Sequence, residues 1–399
     1  MAETDVAIVG AGAAGLSLAH RVSLGAPTGP APSVVLITAP AGPLRPPRRT
    51  WCYWETGPGP YDAVVTDSWE RLRMRDRHGA TAERRISPMR YKMIRSDDFQ
   101  ALVDRDLKAC AGVRRVEATV DDITGLPDGT ARIRGVDADG ARVTVDARWV
   151  FDSRPPRRPP PARTHLLQHF RGWYLRTEQP AFDPGVVDLM DFRTPQPVPG
   201  LSFGYVLPTG RHTALVEYTE FGPEPLSSDA YDAALDHYAH GVLGLGALRV
   251  LWSETGAIPM TDASFPRESA ASVFRIGTAG GATRPATGYT FAAIQRQVDA
   301  VARALRAGRR PVPPPAYPAR ARGMDAILLR ALATGRVDGP DFFYRLFTRV
   351  PPRRLLRFLD GRTRLSEDFA IGLRTPVPSM LRTAAELPLV PRRPPTGAS

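Results

Sequence analysis

A chain of 399 residues with 43% hydrophobic content can bury a full core and is long enough for two intertwined domains. Its formal net charge of +12 rests almost wholly on arginine, since Lys92 and Lys108 are the only lysines. Those arginines are scattered, with no basic arm and no nucleic-acid module, which argues against a nucleic-acid partner but suits an anionic membrane face.

The first ordered stretch is an apolar strand, Val6–Val9, running into Gly10-x-Gly12-x-x-Gly15 and a helix over about Ala13–Leu24. In that setting Gly10 makes the tight turn and Gly12, with Ala14 beside it, lets the backbone approach a pyrophosphate. Gly15 lets helix and strand pack closely, and the anion sits on the helix N-terminus. The arrangement reads as a dinucleotide site of the kind many FAD enzymes carry at this end of the chain. A Gly/Pro loop leads to Val34–Ile37, a fully apolar run that fits a second parallel strand. The dinucleotide fingerprint wants an acid at this strand's end, and the chain offers Thr38, a hydroxyl without charge.

Arg49–Glu55 is dense in aromatics and reads as a core plug or as a pocket wall. Ser96 is placed to cap the helix that starts there. Three short strands near Ala118–Ile123, Ala131–Val136 and Arg142–Val145, with turns at Asp128-Gly129 and Asp139-Gly140, read as a meander. Trp149–Asp152 reads as a strand returning to the sheet, and the tract Pro155–Pro161 as a crossing into a second domain. That second part is mostly strands: Phe170–Leu175, Val186–Asp191, Leu201–Leu207, Thr213–Tyr218 and Leu248–Trp252, interrupted by a helix near Ser228–Gly241. Phe274–Gly277 is a further apolar strand. A Gly-rich turn then opens a long helix over about Gly288–Ala307, which is expected to lie beside the first. Beyond Pro311 the chain is rich in Pro and Arg, then helical through Phe342–Phe347 and Arg353–Leu359, where aromatics, leucines and arginines mix.

No run of 18 or more apolar residues is present, so no membrane-spanning helix is expected. The N-terminus lacks a basic region and Val6–Val9 is needed as a strand, so no secretory signal is expected. Two lone thiols, Cys52 and Cys110, make neither a disulfide framework nor a zinc site and suit a reducing cytoplasm. His165/His169 and His237/His240 lack the glutamate of H-E-x-x-H, and no metal is expected.

A series of further motifs carries a family resemblance. They are Thr50-Trp51, Phe151-Asp-x-Arg154, Gln168-x-Phe-x-Gly-Trp173, Leu189-Met-Asp-Phe-Arg193 and Phe203-x-Tyr-x-Leu-Pro208. Leu215-Val-Glu-Tyr-Thr219, Glu254-x-Gly-x-Ile-Pro259 and Gly277-x-Ala-Gly-Gly281 with Pro285-x-Thr-Gly-Tyr289 complete it. In this order the chain resembles the FAD-dependent lycopene cyclases of carotenoid biosynthesis, from Val6 to about Asp368.

The resemblance implies an α/β protein with an FAD-binding, Rossmann-like fold of the glutathione-reductase type, an inserted antiparallel β-sheet substrate domain and a helical C-terminal part. The expected FAD-binding domain spans 1–155 and is completed by 266–310; the substrate sheet spans 156–265 and the helical region 311–399. Glu217 takes the position of the carboxyl thought to protonate the polyene. The family's second acid there is replaced by Tyr218, which leaves the end specificity open. Glu254 resembles a second acid, read equally as a buried structural carboxylate or as a base or charge stabiliser. Asp191 is read equally as a site residue or as the ion-pair partner of Arg193.

FAD is expected to contact Gly10, Gly12, Ala14, Gly15, Thr38, Asp152, Arg154, Gly280, Gly281, Thr287, Gly288 and Tyr289. Substrate contacts are assigned to Trp51, Trp173, Phe203, Tyr205 and Tyr218. The implied reaction is redox-neutral, acid-initiated closure of the ends of lycopene or a related polyene to β-rings, with reduced FAD stabilising the cation and NAD(P)H serving only as electron source. The rivals are a flavin monooxygenase or reductase, a cyclase of another terpenoid chain and a flavin-binding carrier. An insoluble polyene must be loaded from a bilayer, so a cytoplasmic protein peripherally bound to the membrane is expected, with Phe342–Leu359 as its contact.

Overall fold

The computed structural model describes residues 3–24, 31–156 and 158–395. Most of the Gly/Pro loop expected after the first helix, and Arg157 within the Pro-rich tract, lie outside the described residues. Strand β1 (Thr4–Val9), helix α1 (Ala13–Leu24) and strand β2 (Val34–Thr38) form the opening unit. Five strands follow: β3 (Thr50–Thr56), β4 (Val65–Trp69), β5 (Arg71–Arg75), β6 (Thr81–Arg85) and β7 (Met89–Arg95). Helix α2 (Ser96–Lys108) leads to β8 (Val113–Glu117), β9 (Thr119–Gly125), β10 (Ala131–Val136) and β11 (Arg142–Asp152).

The second part runs β12 (His165–Thr177), β13 (Val186–Asp191), β14 (Leu201–Pro208), β15 (Thr213–Gly222), α3 (Ser228–Asp236) and β16 (Leu248–Thr261). The short strands β17 (Glu268–Ala270) and β18 (Val273–Arg275) return the chain to α4 (Phe291–Arg306). Five helices close it: α5 (Ala319–Ala333), α6 (Gly339–Arg349), α7 (Pro352–Leu359), α8 (Leu365–Gly372) and α9 (Val377–Glu386).

The first sheet has the order β17-β18-β11-β1-β2-β8, with β10 and β9 continuing from β11 as the meander. Strand β1 runs parallel to both neighbours, Val6 lying opposite Val34 on one side and Trp149 on the other. Its two faces are both covered, which explains the unbroken apolar run. Val6 and Ile8 pack with α1, α2 and α4, while Ala7 and Val9 pack with the meander residues Val120, Ile133 and Val145. Helices α1 and α4 lie together as expected, joined by Arg21–Asp299 at 2.7 Å and Gln295–Ser17 at 2.9 Å. Gly129 and Gly140 take the left-handed φ of +84° and +80° that the two meander turns require.

Three expectations need correction. Arg142–Val145 and Trp149–Asp152 are one strand, β11, which pairs antiparallel with β10 at its start and parallel with β1 at its end. Ser96 does not cap α2; its hydroxyl accepts the N–H of Arg49 at 2.9 Å and so ties down the entrance to β3. The stretch 49–95 is neither plug nor loop but five strands. β3-β7-β4 make a small sheet, whereas β5 and β6 join the substrate sheet beyond β13.

That substrate sheet has the order β16-β12-β15-β14-β13-β5-β6 and is antiparallel except for the β13–β5 pair. It therefore draws on residues 71–85 as well as on 156–265. One face packs on α3, where Tyr218, Tyr231 and Tyr238 share a cluster. The other packs on the small sheet and the C-terminal helices, where Trp54, Trp69, Phe342, Phe347 and Leu356 meet. The apolar side chains of α6 and α7, Phe342, Phe343, Leu346, Phe347, Leu355 and Leu356, are all buried. The expected membrane contact is thus the core of the helical region. Among the described residues no helix is long and apolar enough to cross a membrane.

Candidate active site

Between the substrate sheet and helices α6 and α7 lies a cavity of about 210 Å³ whose walls are mostly apolar. Leu72, Met74, Phe203 and Phe221 come from the sheet, and Phe343 and Leu356 from the helices. Side chains alternate along a strand, so on β15 Glu217, Thr219 and Phe221 face this cavity. Gln168 and Phe170 do the same from β12.

The central feature spans three strands. Gly172 on β12 lies opposite Glu217 on β15 and opposite Glu254 on β16. Strands one apart are roughly 4.8 Å from each other, so two carboxyls two strands apart meet only if the residue between leaves the space open. Gly172 does so: a Cβ there would stand 2.8 Å from Glu217 Cγ and 3.3 Å from its Oε1. Both acids are buried. Burial and the charge of Glu254 hold the Glu217 carboxyl well above the ordinary carboxylate range. Burial also raises Glu254, but hydrogen bonds from Glu217 and Thr50 and the charge of Arg49 oppose that. The backbone N–H of Thr50 donates to Glu254 Oε2 at 2.8 Å. The pair thus shares one proton, held by Glu217 at the cavity and accepted by Glu254 behind it.

Phenols line the same cavity. Tyr91 and Tyr205 are joined at 2.7 Å and Tyr91 and Tyr289 at 3.3 Å. Burial pushes all three above their ordinary value, and the Cys52 thiol up to about 12, so this wall is neutral. Trp51 stands where the cavity adjoins a second, larger cleft, stacked on Phe291 with centroids 5.6 Å apart.

Of the expected substrate contacts, Trp51, Phe203 and Tyr205 line the cavity, and Trp173 and Tyr218 do not. Tyr218 follows Glu217 by one residue and so points to the other face, where its hydroxyl donates to Glu220 at 2.6 Å. Trp173 lies on that face too and donates from Nε1 to Asp232 of α3 at 3.2 Å. Asp191 is buried away from the cavity, bridged by Arg193 Nη2 at 2.6 Å and by the Tyr238 hydroxyl at 3.1 Å. It is a structural ion pair, not a catalytic acid. Gly172, Gln168, Cys52 and Tyr91 belong to the site and were not singled out from the sequence.

The larger cleft, about 1450 Å³, opens at the C-terminal ends of β1 and β2 and is lined by Gly10, Gly12, Thr38, Asp152 and Arg154. Gly10 has φ +98° and turns the chain into α1, whose first N–H groups have no partner within the helix. An added Cβ at Gly12 would meet nothing within 4 Å, so the backbone there stands open to the cleft. Gly15 is pressed against the Gly10 carbonyl and Ile8, and Ala14 against Gly277; both serve packing. Asp152 is bridged by Arg154 Nε at 2.9 Å, and Ser153 Oγ donates to the Val9 carbonyl at 2.9 Å. Glu117, opposite Thr38 on β8, puts a carboxylate on the cleft wall where β2 lacks one. Gly280 and Gly281 form a turn against Arg275 and Phe265 and do not line the cleft. Thr287, Gly288 and Tyr289 line the cavity instead. Thr287 Oγ1 and Gln168 Oε1 are buried there without a hydrogen-bond partner. Open backbone at a helix start and orphaned polar atoms at the cavity suit a dinucleotide with a polar ring system.

This fold and site define a protein of the FAD-dependent flavoprotein class in which an apolar, acid-bearing cavity adjoins the dinucleotide cleft. The chain belongs to the lycopene cyclase family, whose model, described as "Lycopene cyclase protein", matches residues 5–385. No curated protein matches it. Among solved structures it is similar to a flavoprotein/dehydrogenase from Cytophaga hutchinsonii, with TM-score 0.62 and 11% identity over 96% of this chain and 98% of that one. The p-nitrophenol 4-monooxygenase PnpA from Pseudomonas putida DLL-E4 matches with TM-score 0.55 and 13% identity over 98% of both chains. A geranylgeranyl bacteriochlorophyll reductase-like protein from Thermoplasma acidophilum matches with TM-score 0.53 and 15% identity over 96% of both. At these identities the likeness is one of fold.

Proposed function

We propose that this protein is a lycopene β-cyclase that closes the linear ends of lycopene, or of a closely related polyene, without net oxidation. The observation that carries the reading is the shared-proton pair Glu217–Glu254 at the wall of an otherwise apolar cavity. A polyene offers no heteroatom, so its cyclisation must begin with a proton delivered to carbon. Glu217 gives its proton to the terminal double bond, forming a C–H bond and a tertiary cation. The next double bond attacks that cation, a C–C bond closes the ring, and a proton leaves the neighbouring carbon. Two buried carboxylates side by side cannot both stay ionised, so the pair recovers that proton and no net acid is consumed. The faces of Tyr205, Phe203 and Trp51 offer the passing cation π density without a nucleophile that would trap it.

The cofactor of this reading is FAD, held by the Gly10–Gly15 loop and the cleft residues Thr38, Asp152 and Arg154. When bound in its reduced form it supplies fixed negative charge near the developing cation, with NAD(P)H as the electron source. Gly12→Val puts a branched side chain where a pyrophosphate approaches, and the purified variant is expected to be colourless; a yellow variant with full flavin content would show the loop misassigned. Lycopene supplied to dithionite-reduced holoenzyme is expected to give ring-closed product of unchanged mass. Stoichiometric NAD(P)H and oxygen consumption would instead indicate a monooxygenase.

A further inference from the structure

We propose that helix α8 is the element by which this protein sits on an anionic lipid surface. Leu365, Phe369 and Leu373 recur every four residues and so form one ridge; Leu373, just past the helix, still has helical φ −65° and ψ −12°. They are 72%, 69% and 59% exposed. The opposite side of α8 holds it to the fold: Ile371 is buried, and Asp368 accepts from Arg320 at 2.7 Å. The ridge is therefore left uncovered by a helix that is otherwise anchored.

The charge around the ridge selects its occupant. Residues 353–382 contain seven arginines and three acids. All three acids are committed, Asp360 to Arg296, Glu367 to Arg357 and Asp368 to Arg320. Arg353, Arg364, Arg374 and Arg382 have no ion-pair partner among the described residues, and Arg364 and Arg374 flank the ridge in sequence. A second copy would bring these cations against one another, whereas anionic headgroups neutralise them while the ridge enters the acyl boundary. The position fits delivery to the cavity. Leu355, Leu356 and Leu359 of α7 form one of its walls, and the Arg357–Glu367 pair ties α7 to α8. This assignment rests on the reading of an apolar substrate only for its purpose, not for its evidence.

The test is sedimentation of the flavin-loaded, full-length protein with vesicles of phosphatidylcholine alone or mixed with phosphatidylglycerol. Wild type is expected to sediment with the mixed vesicles and to be released by salt. Phe369→Asp with Leu373→Asp should reduce binding by about tenfold or more, since each apolar side chain inserted adds to the partition. Flavin content and melting temperature should not change, because neither side chain packs in the fold. Wild type that stays in solution with anionic vesicles, or a variant that binds them as well as wild type, overturns the proposal. A dimer that the variant dissociates, without vesicle binding, assigns the ridge to a second copy and overturns it too. The same two proteins are then assayed with lycopene in detergent micelles and in vesicles. A variant active in micelles and inactive in vesicles supports the surface. Wild type inactive in both removes the cyclase reading, while sedimentation still decides the surface.

Discussion

Glu217→Gln is expected to lower product formation by the reduced holoenzyme by about 10²–10⁴-fold or more, with flavin content unchanged. The amide keeps the shape of the side chain and can still hydrogen-bond Glu254, but it carries no acidic proton. Glu217→Asp draws the carboxyl back by one methylene and should be impaired as well, since proton transfer needs a reach of roughly 2.6–3.2 Å. Glu254→Gln leaves the donor in place and removes the charge that helps hold its proton, so its loss should be smaller. Near-normal turnover by a folded, flavin-loaded Glu217→Gln protein would move the acid elsewhere, with Glu254 the first candidate.

The same substitution has a second expected result, in stability. Burial raises the folded-state pKa of Glu217 above its ordinary value of 4.5. Above that ordinary value the unfolded chain has released a proton that the native protein still holds. Stability from this group is therefore full below pH 4.5 and is lost as pH rises towards the folded value. Glu217→Gln removes that loss, so the inactive variant should melt higher than wild type at neutral and alkaline pH, and the gap should close on acidification. Melting curves across about pH 5–9 read it directly. A gap that widened towards acid would contradict the raised pKa.

The parts of this fold legible in the sequence are those that depend on neighbours along the chain. β1 and β2 are continuous apolar runs, the Gly10-x-Gly12-x-x-Gly15 spacing is local, and Asp128-Gly129 and Asp139-Gly140 are turns by their own chemistry. The segment 49–95 was less legible, although β5 does carry a period-two signal: Arg71, Arg73 and Arg75 alternate with buried Leu72 and Met74. The proton donor stood out through the Leu215–Thr219 motif, but adjacency misassigned its neighbours. Tyr218 follows Glu217 in sequence and for that reason lies on the other face of the sheet, a parity visible in the sequence once Glu217 is placed at the cavity. Asp191 needed more, because its face depends on pairing with Gly204 across β14. The C-terminal helices show the limit from another side. Amphipathicity marks the apolar stripes of α6 and α8 alike, yet only the packed fold shows that one is core and the other bare.

Gly172 is the residue whose importance depends wholly on register, and its replacement is expected to have the other large effect. In Gly172→Ala the new Cβ would stand 2.8 Å from Glu217 Cγ and 3.1 Å from Leu215 Cδ1. The strand cannot yield easily, since β12 is held by partners on both sides. The Glu217 side chain must swing aside, and it parts from Glu254. A displacement of about 1 Å can cost about 10²-fold in rate, and a loss of this order is expected with flavin still bound. A simple packing defect would lower activity equally at every pH, whereas separation of the pair would not. Freed from the neighbouring charge, Glu217 would lose part of what raises its pKa, so the alkaline limb of the pH–rate profile should move to lower pH. Gly172→Ala with wild-type rates, or with lower rates and an unmoved alkaline limb, would show that the two carboxyls do not act as a pair across β12.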